Sequence, residues 1–153
     1  MPRVGPGKEF VYGWVVLDGN GRLPLPPPVL ADYGFSPGEP LVLLGGGAGP
    51  SGVSVCRLEC LRSSALGIIL ERYPELLGEA GPVLVEGRSR YYGRLSCGPD
   101  QALLLTPAHL EAFGIPPSSR LAVLRESEIA VAFRCTGPLV SAAERIGELP
   151  VWE

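Results

Sequence analysis

Lysine is almost absent: Lys8 stands alone beside twelve arginines. Acids outnumber bases 16 to 13, a net charge of −3. Domains that bind nucleic acid take most of their non-specific affinity from neutralised phosphates, so tight binding by the whole surface is excluded and only a local basic strip is left open. Histidine occurs once, at His109, with no serine, cysteine or carboxylate motif built around it. Nucleophilic catalysis needs an activated partner within hydrogen-bond reach, so His109 reads as a residue at the surface or edge of a helix, and no enzyme is expected.

Cysteine is also scarce. Cys56, Cys60, Cys97 and Cys135 are too few and too scattered for a disulfide framework. The C-x3-C spacing of the first two has no second close pair to complete a zinc tetrahedron, so buried, reduced thiols are expected, with no metal and no cofactor. No apolar run approaches the roughly 20 residues that span a bilayer. The opening MPRVGPGKEF lacks the apolar core of a signal peptide. The expectation is a cytoplasmic protein with no membrane partner.

Apolar residues make up 46% of the chain and charged ones only 19%, enough for a packed core. A repeat organises them. Laid without a gap over residues 88–124, residues 8–44 show ten identities in 37 positions, among them Tyr12/Tyr92, Gly13/Gly93, Pro27/Pro107, Gly34/Gly114 and Leu41/Leu121. Each copy reads as a strand (10–17 or 89–97), a turn (DGNG or GPDQ) and a short second strand (RLPL or ALLL). Proline or threonine then opens a two-turn helix at 27–33 or 107–113, which Gly34 or Gly114 ends as a left-handed residue. A third strand follows at 40–44 or 120–124, and a fourth at 53–58 or 129–134. The prolines of LPLPPPVL thus mark a strand-to-helix corner, where a missing N–H costs nothing. A helical tail trails each copy, and Pro74 should split the first. The divisions are 8–62 (first repeat), 63–81 (helical connector), 87–136 (second repeat) and 137–149 (C-terminal helical tail).

Three stretches bear on function. GRSRYYGR (87–94) is the one concentrated basic segment. On a strand, period-two alternation would put Arg88, Arg90, Tyr92 and Arg94 on one face, suited either to a phosphate backbone or to ordinary solvation. The matching face of the first copy, Lys8, Phe10, Tyr12 and Trp14, is far less basic. In DGNGR, Arg22 either reaches phosphate or base edges with Asp18 orienting it, or makes a local turn ion pair with Asp18. GGGAGPSG (45–52) contains G-x-G-x-x-G, but the VSVCRLE that follows reads as a strand where a dinucleotide loop needs a helix; a hairpin extension fits better.

The order β-β-α-β-β, with Gly21, Arg22, Leu23, Leu25, Pro26, Leu30, Gly34, Pro37, Gly38 and Leu41, resembles the AbrB/MazE/MraZ (SpoVT-AbrB) family of swapped-hairpin transcription factors. Asp18 and Arg22 fit the D-x-x-x-R pattern of its MraZ branch, which also carries two repeats in one chain. The resemblance implies a mainly β fold of two tandem units forming a swapped-hairpin, double-split β-barrel pseudo-dimer. It further implies a DNA-binding transcriptional regulator that contacts double-stranded DNA through Arg22, Arg88, Arg90, Tyr92, Arg94 and Lys8, with Asp18 in support. Self-association through the tails is expected because their apolar positions exceed what a lone short helix needs. The chain departs from the family where basic residues usually follow the proline: Leu30 and Ala31 in one copy, Leu110 and Glu111 in the other. Ala102 replaces the second arginine. The rival expectation is therefore a degenerate member, an interaction or assembly module without DNA binding.

Overall fold

The computed structural model describes residues 10–47, 51–78 and 81–153. The first copy comprises β1 (Phe10–Val16), β2 (Arg22–Pro24), α1 (Pro27–Tyr33), β3 (Pro40–Gly45) and β4 (Gly52–Arg57). Two short helices follow, α2 (Leu58–Arg62) and α3 (Ile68–Arg72), and then β5 (Val83–Glu86). The second copy repeats the pattern with β6 (Tyr91–Ser96), β7 (Ala102–Leu104), α4 (Pro107–Phe113), β8 (Arg120–Arg125) and β9 (Ala130–Arg134). Helix α5 (Pro138–Glu144) and β10 (Val151–Trp152) close the chain. The fold is mainly β, a large sheet with a few short helices.

The two repeat helices occupy the residues their signals mark. Pro27 and Pro107 begin them, and Gly34 (φ 69°) and Gly114 (φ 67°) end them in the left-handed region. Each buries the same two positions: Val29 and Tyr33 in α1, His109 and Phe113 in α4.

Pairing crosses between the copies. The main sheet runs β10-β1-β8-β9-β4-β3-β6-β5, and β2 and β7 form a separate antiparallel pair. Thus β1 of the first copy lies against β8 of the second (Trp14↔Ala122), and β6 of the second lies against β3 of the first (Leu43↔Gly93). The centre is the β4–β9 pair, with Val55 opposite Val131.

Strands β3 and β8 read LVLL and LAVL, without alternation, because both their faces are covered. One face (Leu41, Leu43, Leu121 and Val123) joins Val53, Val55, Val131 and Phe133 in a central core with Leu23, Leu103, Val29 and Phe113. On the other face, Val42, Leu44 and Cys56 lie under Leu58, Leu61, Leu70 and Leu76 of the connector. Trp14, Ala122, Leu124 and Ala132 lie under Val140 and Ala143 of α5. Burying one such side chain stabilises by about 1.5–3 kcal/mol, so each tail is what makes its half of the sheet tolerable as an apolar surface.

The connector differs in detail from expectation. Helix α2 starts at Leu58, directly after β4, and not at 63. Ser64 accepts the Leu66 N–H at 3.1 Å and starts a 3-10 turn, Ala65–Gly67. Pro74 does divide the segment, opening a second 3-10 turn at Pro74–Leu77. The edge strands β5 and β10 were not foreseen. Strand β5 forms a hairpin with β6, and the two residues of β10 pair parallel to β1.

Candidate nucleic-acid interface

Arg22 opens β2, opposite Leu104 of β7. Its partner is not Asp18: its Nε–H donates to Asp100 Oδ2 at 2.9 Å, 78 residues away. Asp18 instead holds the turn, its Oδ1 accepting the backbone N–H of Asn20 and of Arg22, both at 2.9 Å. A short carboxylate prefers such nearby donors, which are in place before any guanidinium is ordered. Asp100 aligns with Asn20 in the repeat and faces Arg22 because β2 and β7 pair across the copies. The Arg22 hydrogen bond holds the Asp100 carboxyl below its ordinary range. Beside this ion pair lies a cleft of about 420 Å³, lined by Leu95, Pro99, Leu103 and Leu104.

The basic segment 87–94 does not form one strand face. Residues Gly87–Arg90 are the β5–β6 turn, closed by the Gly87 N–H to the Arg90 carbonyl at 2.8 Å, and both Arg88 and Arg90 are exposed there. The physical reason is β5: VLVE supplies a hairpin partner, so GRSR becomes its turn. Only Tyr92 and Arg94 lie on β6, on the sheet face that the connector covers. The ring of Tyr92 sits 4.8 Å from that of Tyr73, and Arg94 is half-buried. Arg94 Nη1 is shielded from water with no acceptor among the described residues. Lys8 lies outside the described residues.

The first copy's counterpart is broken as well. A bulge between Val11 and Gly13 shifts the register of β1 on β8, so that Tyr12 enters the central core while Trp14 faces α5. Arg120 covers the Trp14 ring at 3.9 Å. The structure therefore separates the candidates. Strand β6, spanning about 17 Å at 3.3 Å per residue, runs from the Arg88–Arg90 turn to the end that carries Arg22 and Asp100. Leu30 and Leu110, equivalent positions of α1 and α4, pack against the central core.

The glycine-rich stretch leads into β4 at Gly52, not into a helix; of it, 48–50 lie outside the described residues. His109 is buried, contrary to a surface placement, because it takes the core position of Val29. Its Nε2–H donates to the Val83 carbonyl at 2.8 Å, which leaves Nδ1 to accept the Thr106 hydroxyl at 2.6 Å. Thr106 Oγ1 in turn accepts the His109 backbone N–H at 3.2 Å and caps α4. The imidazole is thus the Nε2–H tautomer and ties α4 to β5. Among the described residues no three histidine, cysteine or acidic side chains gather to hold a metal. Burial pushes the Cys56 thiol up to about 12.

Two further arrangements had no sequence signal. Arg57 pairs with Glu39 beside the β3–β4 ladder. Tyr12 donates its hydroxyl to Asp32 Oδ2 at 2.6 Å, and Arg125 Nη1 lies 3.8 Å from the same oxygen. No described helix is long and apolar enough to cross a membrane. No family model, no curated protein and no solved structure matches this chain.

Proposed function

We propose that the chain is a fused pair of AbrB-like units in swapped-hairpin arrangement, working as a protein–protein assembly module and not as a DNA-binding regulator. The observation that carries this is exposed apolar surface on the connector: Ile68 and Leu77, 56% and 44% exposed, line one hollow, and Leu66 of the same segment is 51% exposed. Arg62 and Glu71 line the same hollow. Opposite charges beside a shared apolar patch suit a two-fold pairing, each arginine meeting the other copy's glutamate. The corresponding tail presents no such face, since Leu139, Ile146 and Leu149 pack against α5's own cluster. A self-complementary face of this kind closes a dimer without propagating. The crossing of β1 onto β8 and of β6 onto β3 supports the swapped-hairpin arrangement.

The regulator reading keeps one observation in its favour: Arg88 and Arg90 project from the β5–β6 turn with no ion-pair partner among the described residues. Sedimentation across a concentration series tests the assembly reading. The expected result is a dimer that Ile68→Glu converts to monomer; a monomer at every concentration overturns it. A mobility shift against the protein's own promoter region, across a salt series, tests the other. Specific binding lost in Arg88→Ala/Arg90→Ala would replace assembly by regulation.

A further inference from the structure

The C-terminal strand β10 does more than extend the sheet. It carries Trp152 to the position opposite Val15 of β1, and its ring passes so close to Gly13 that a Cβ there would lie 2.8 Å from Cζ3. The turn before it, together with α1 and β1, leaves a cleft of about 470 Å³ lined by Tyr12, Trp152, Pro28, Pro150, Asp32 and Glu148. That volume suits a small organic molecule. The walls are two aromatic rings and two prolines, and both charged groups that line it are carboxylates.

From this geometry we propose that the cleft binds an alkylammonium cation bearing methyl or methylene groups. This goes beyond the assembly reading and does not rest on it. The aromatic faces and proline rings favour an apolar cationic head, since a ring's face is negative and its attraction strengthens as the cation loses water. The carboxylates add direct charge. Asp32 Oδ2 is occupied by the Tyr12 hydroxyl at 2.6 Å and approached by Arg125 Nη1 at 3.8 Å. Asp32 Oδ1 has no protein partner among the described residues. Arg125 also lies over the Tyr33 ring, at 5.7 Å, and it does not line the cleft. Asp32 and Glu148 line the cleft and, among the described residues, only Asp32 is approached by a guanidinium, so the lining is negative, which disfavours an anion. The Tyr12–Asp32 hydrogen bond contributes a second effect. A phenol donating to a carboxylate becomes richer in electrons, so the Tyr12 ring attracts a cation more strongly than an unpaired tyrosine.

Glu148 sharpens the case. It sits at φ 59°, in the left-handed region, where glycine or asparagine is at ease and a longer side chain costs about 1 kcal/mol or more. The turn therefore keeps an acid at the rim of the cleft against its backbone preference, and directly before the segment that places Trp152.

The test uses choline and its neutral isostere, 3,3-dimethylbutan-1-ol, on the full chain. The indole N–H signals of Trp152 and Trp14 are followed by NMR and assigned with Trp152→Phe. Choline should move the Trp152 signal in a saturable way and leave Trp14, packed under α5, unmoved. The neutral isostere should bind about tenfold more weakly, the range that cation–π and charge terms supply together. Asp32→Asn and Glu148→Gln should each weaken choline several-fold, and the second touches no described core contact, so it stays informative if the first disturbs folding. Equal affinity for the isostere, indifference to both substitutions, or no shift at all would overturn the proposal.

Discussion

Gly21 and Gly34 both hold left-handed backbone, at φ 87° and 69°, yet alanine should cost very different amounts at the two. At Gly34 a built Cβ meets nothing within 4 Å, so the penalty is conformational alone, about 1 kcal/mol. At Gly21 the Cβ would lie 2.2 Å from the Leu105 carbonyl oxygen, a backbone atom that cannot rotate away. Leu105 must then move, and its N–H is bonded to the Gly21 carbonyl at 2.8 Å. Weakening that bond adds about 1 kcal/mol to the conformational term, for about 2–3 kcal/mol in all once packing is disturbed. The second copy limits the estimate from above. Its equivalent residue is Gln101, at φ 56°, and the matching bond from the Leu25 N–H to the Gln101 carbonyl is 3.3 Å. The β2–β7 ends therefore stand further apart, at 3.3 Å against 2.8 Å, where a side chain has to fit. Urea unfolding followed by tryptophan fluorescence measures both variants, with the slope held equal to the parent's. If Gly34→Ala proves as costly as Gly21→Ala, steric approach at Leu105 is not the deciding effect and the reasoning fails.

Arg22→Ala should return the Asp100 carboxyl to its ordinary range, because the guanidinium hydrogen bond is the first cause of its lowering. A lowered carboxylate stabilises the fold above its unfolded value and loses that contribution as pH falls through the folded one, so the pair should matter only above the carboxylate range. Carboxyl-carbon NMR titration checks this, and an unchanged midpoint would refute the pairing. His109→Ala leaves the Val83 carbonyl without its donor and opens a void at a buried site, at about 2–4 kcal/mol. Amide exchange should accelerate most in β5 and least in β4 and β9. Uniform acceleration would show that the imidazole does not tie β5 to α4.

What the sequence made legible follows from local chemistry. Proline at the first helical position, glycine just after the last and ungapped repetition placed α1 and α4 to the residue. The connecting elements escaped because their signals are tertiary. Strand β10 has two residues and exists through its pairing with β1, and β5 lies next to a segment whose arginines read equally well as strand or turn. The bulge at Tyr12, between Val11 and Gly13, reverses which residues of β1 face the core, and no period count over seven residues detects it. Asp100 went unnoticed as the partner of Arg22 because only crossed pairing brings β2 against β7.

Repetition within one chain explains how Arg22 comes to be neutralised, while Arg88 and Arg90 have no ion-pair partner among the described residues. In a symmetric pair of first copies, both turns would carry Asn20 near Arg22, and an unopposed guanidinium would stand at each end of the antiparallel pair. A single chain carries each position twice and can alter one copy alone. Here the second copy holds Asp100 for Asn20 and Ala102 for Arg22, so one arginine is gone and the other is paired. The same freedom put His109 at the Val29 position and Gln101 at the Gly21 position, with the backbone path kept in both. Leu23/Leu103 and Leu41/Leu121 fill one shared interior unchanged, whereas the buried pairs Val29/His109 and Tyr33/Phe113 differ between the copies, so the core diverged only where its packing could adjust. Divergence at the turns has the further consequence that a charge on one copy, Asp100, meets the other copy's Arg22 across the crossed β2–β7 pair.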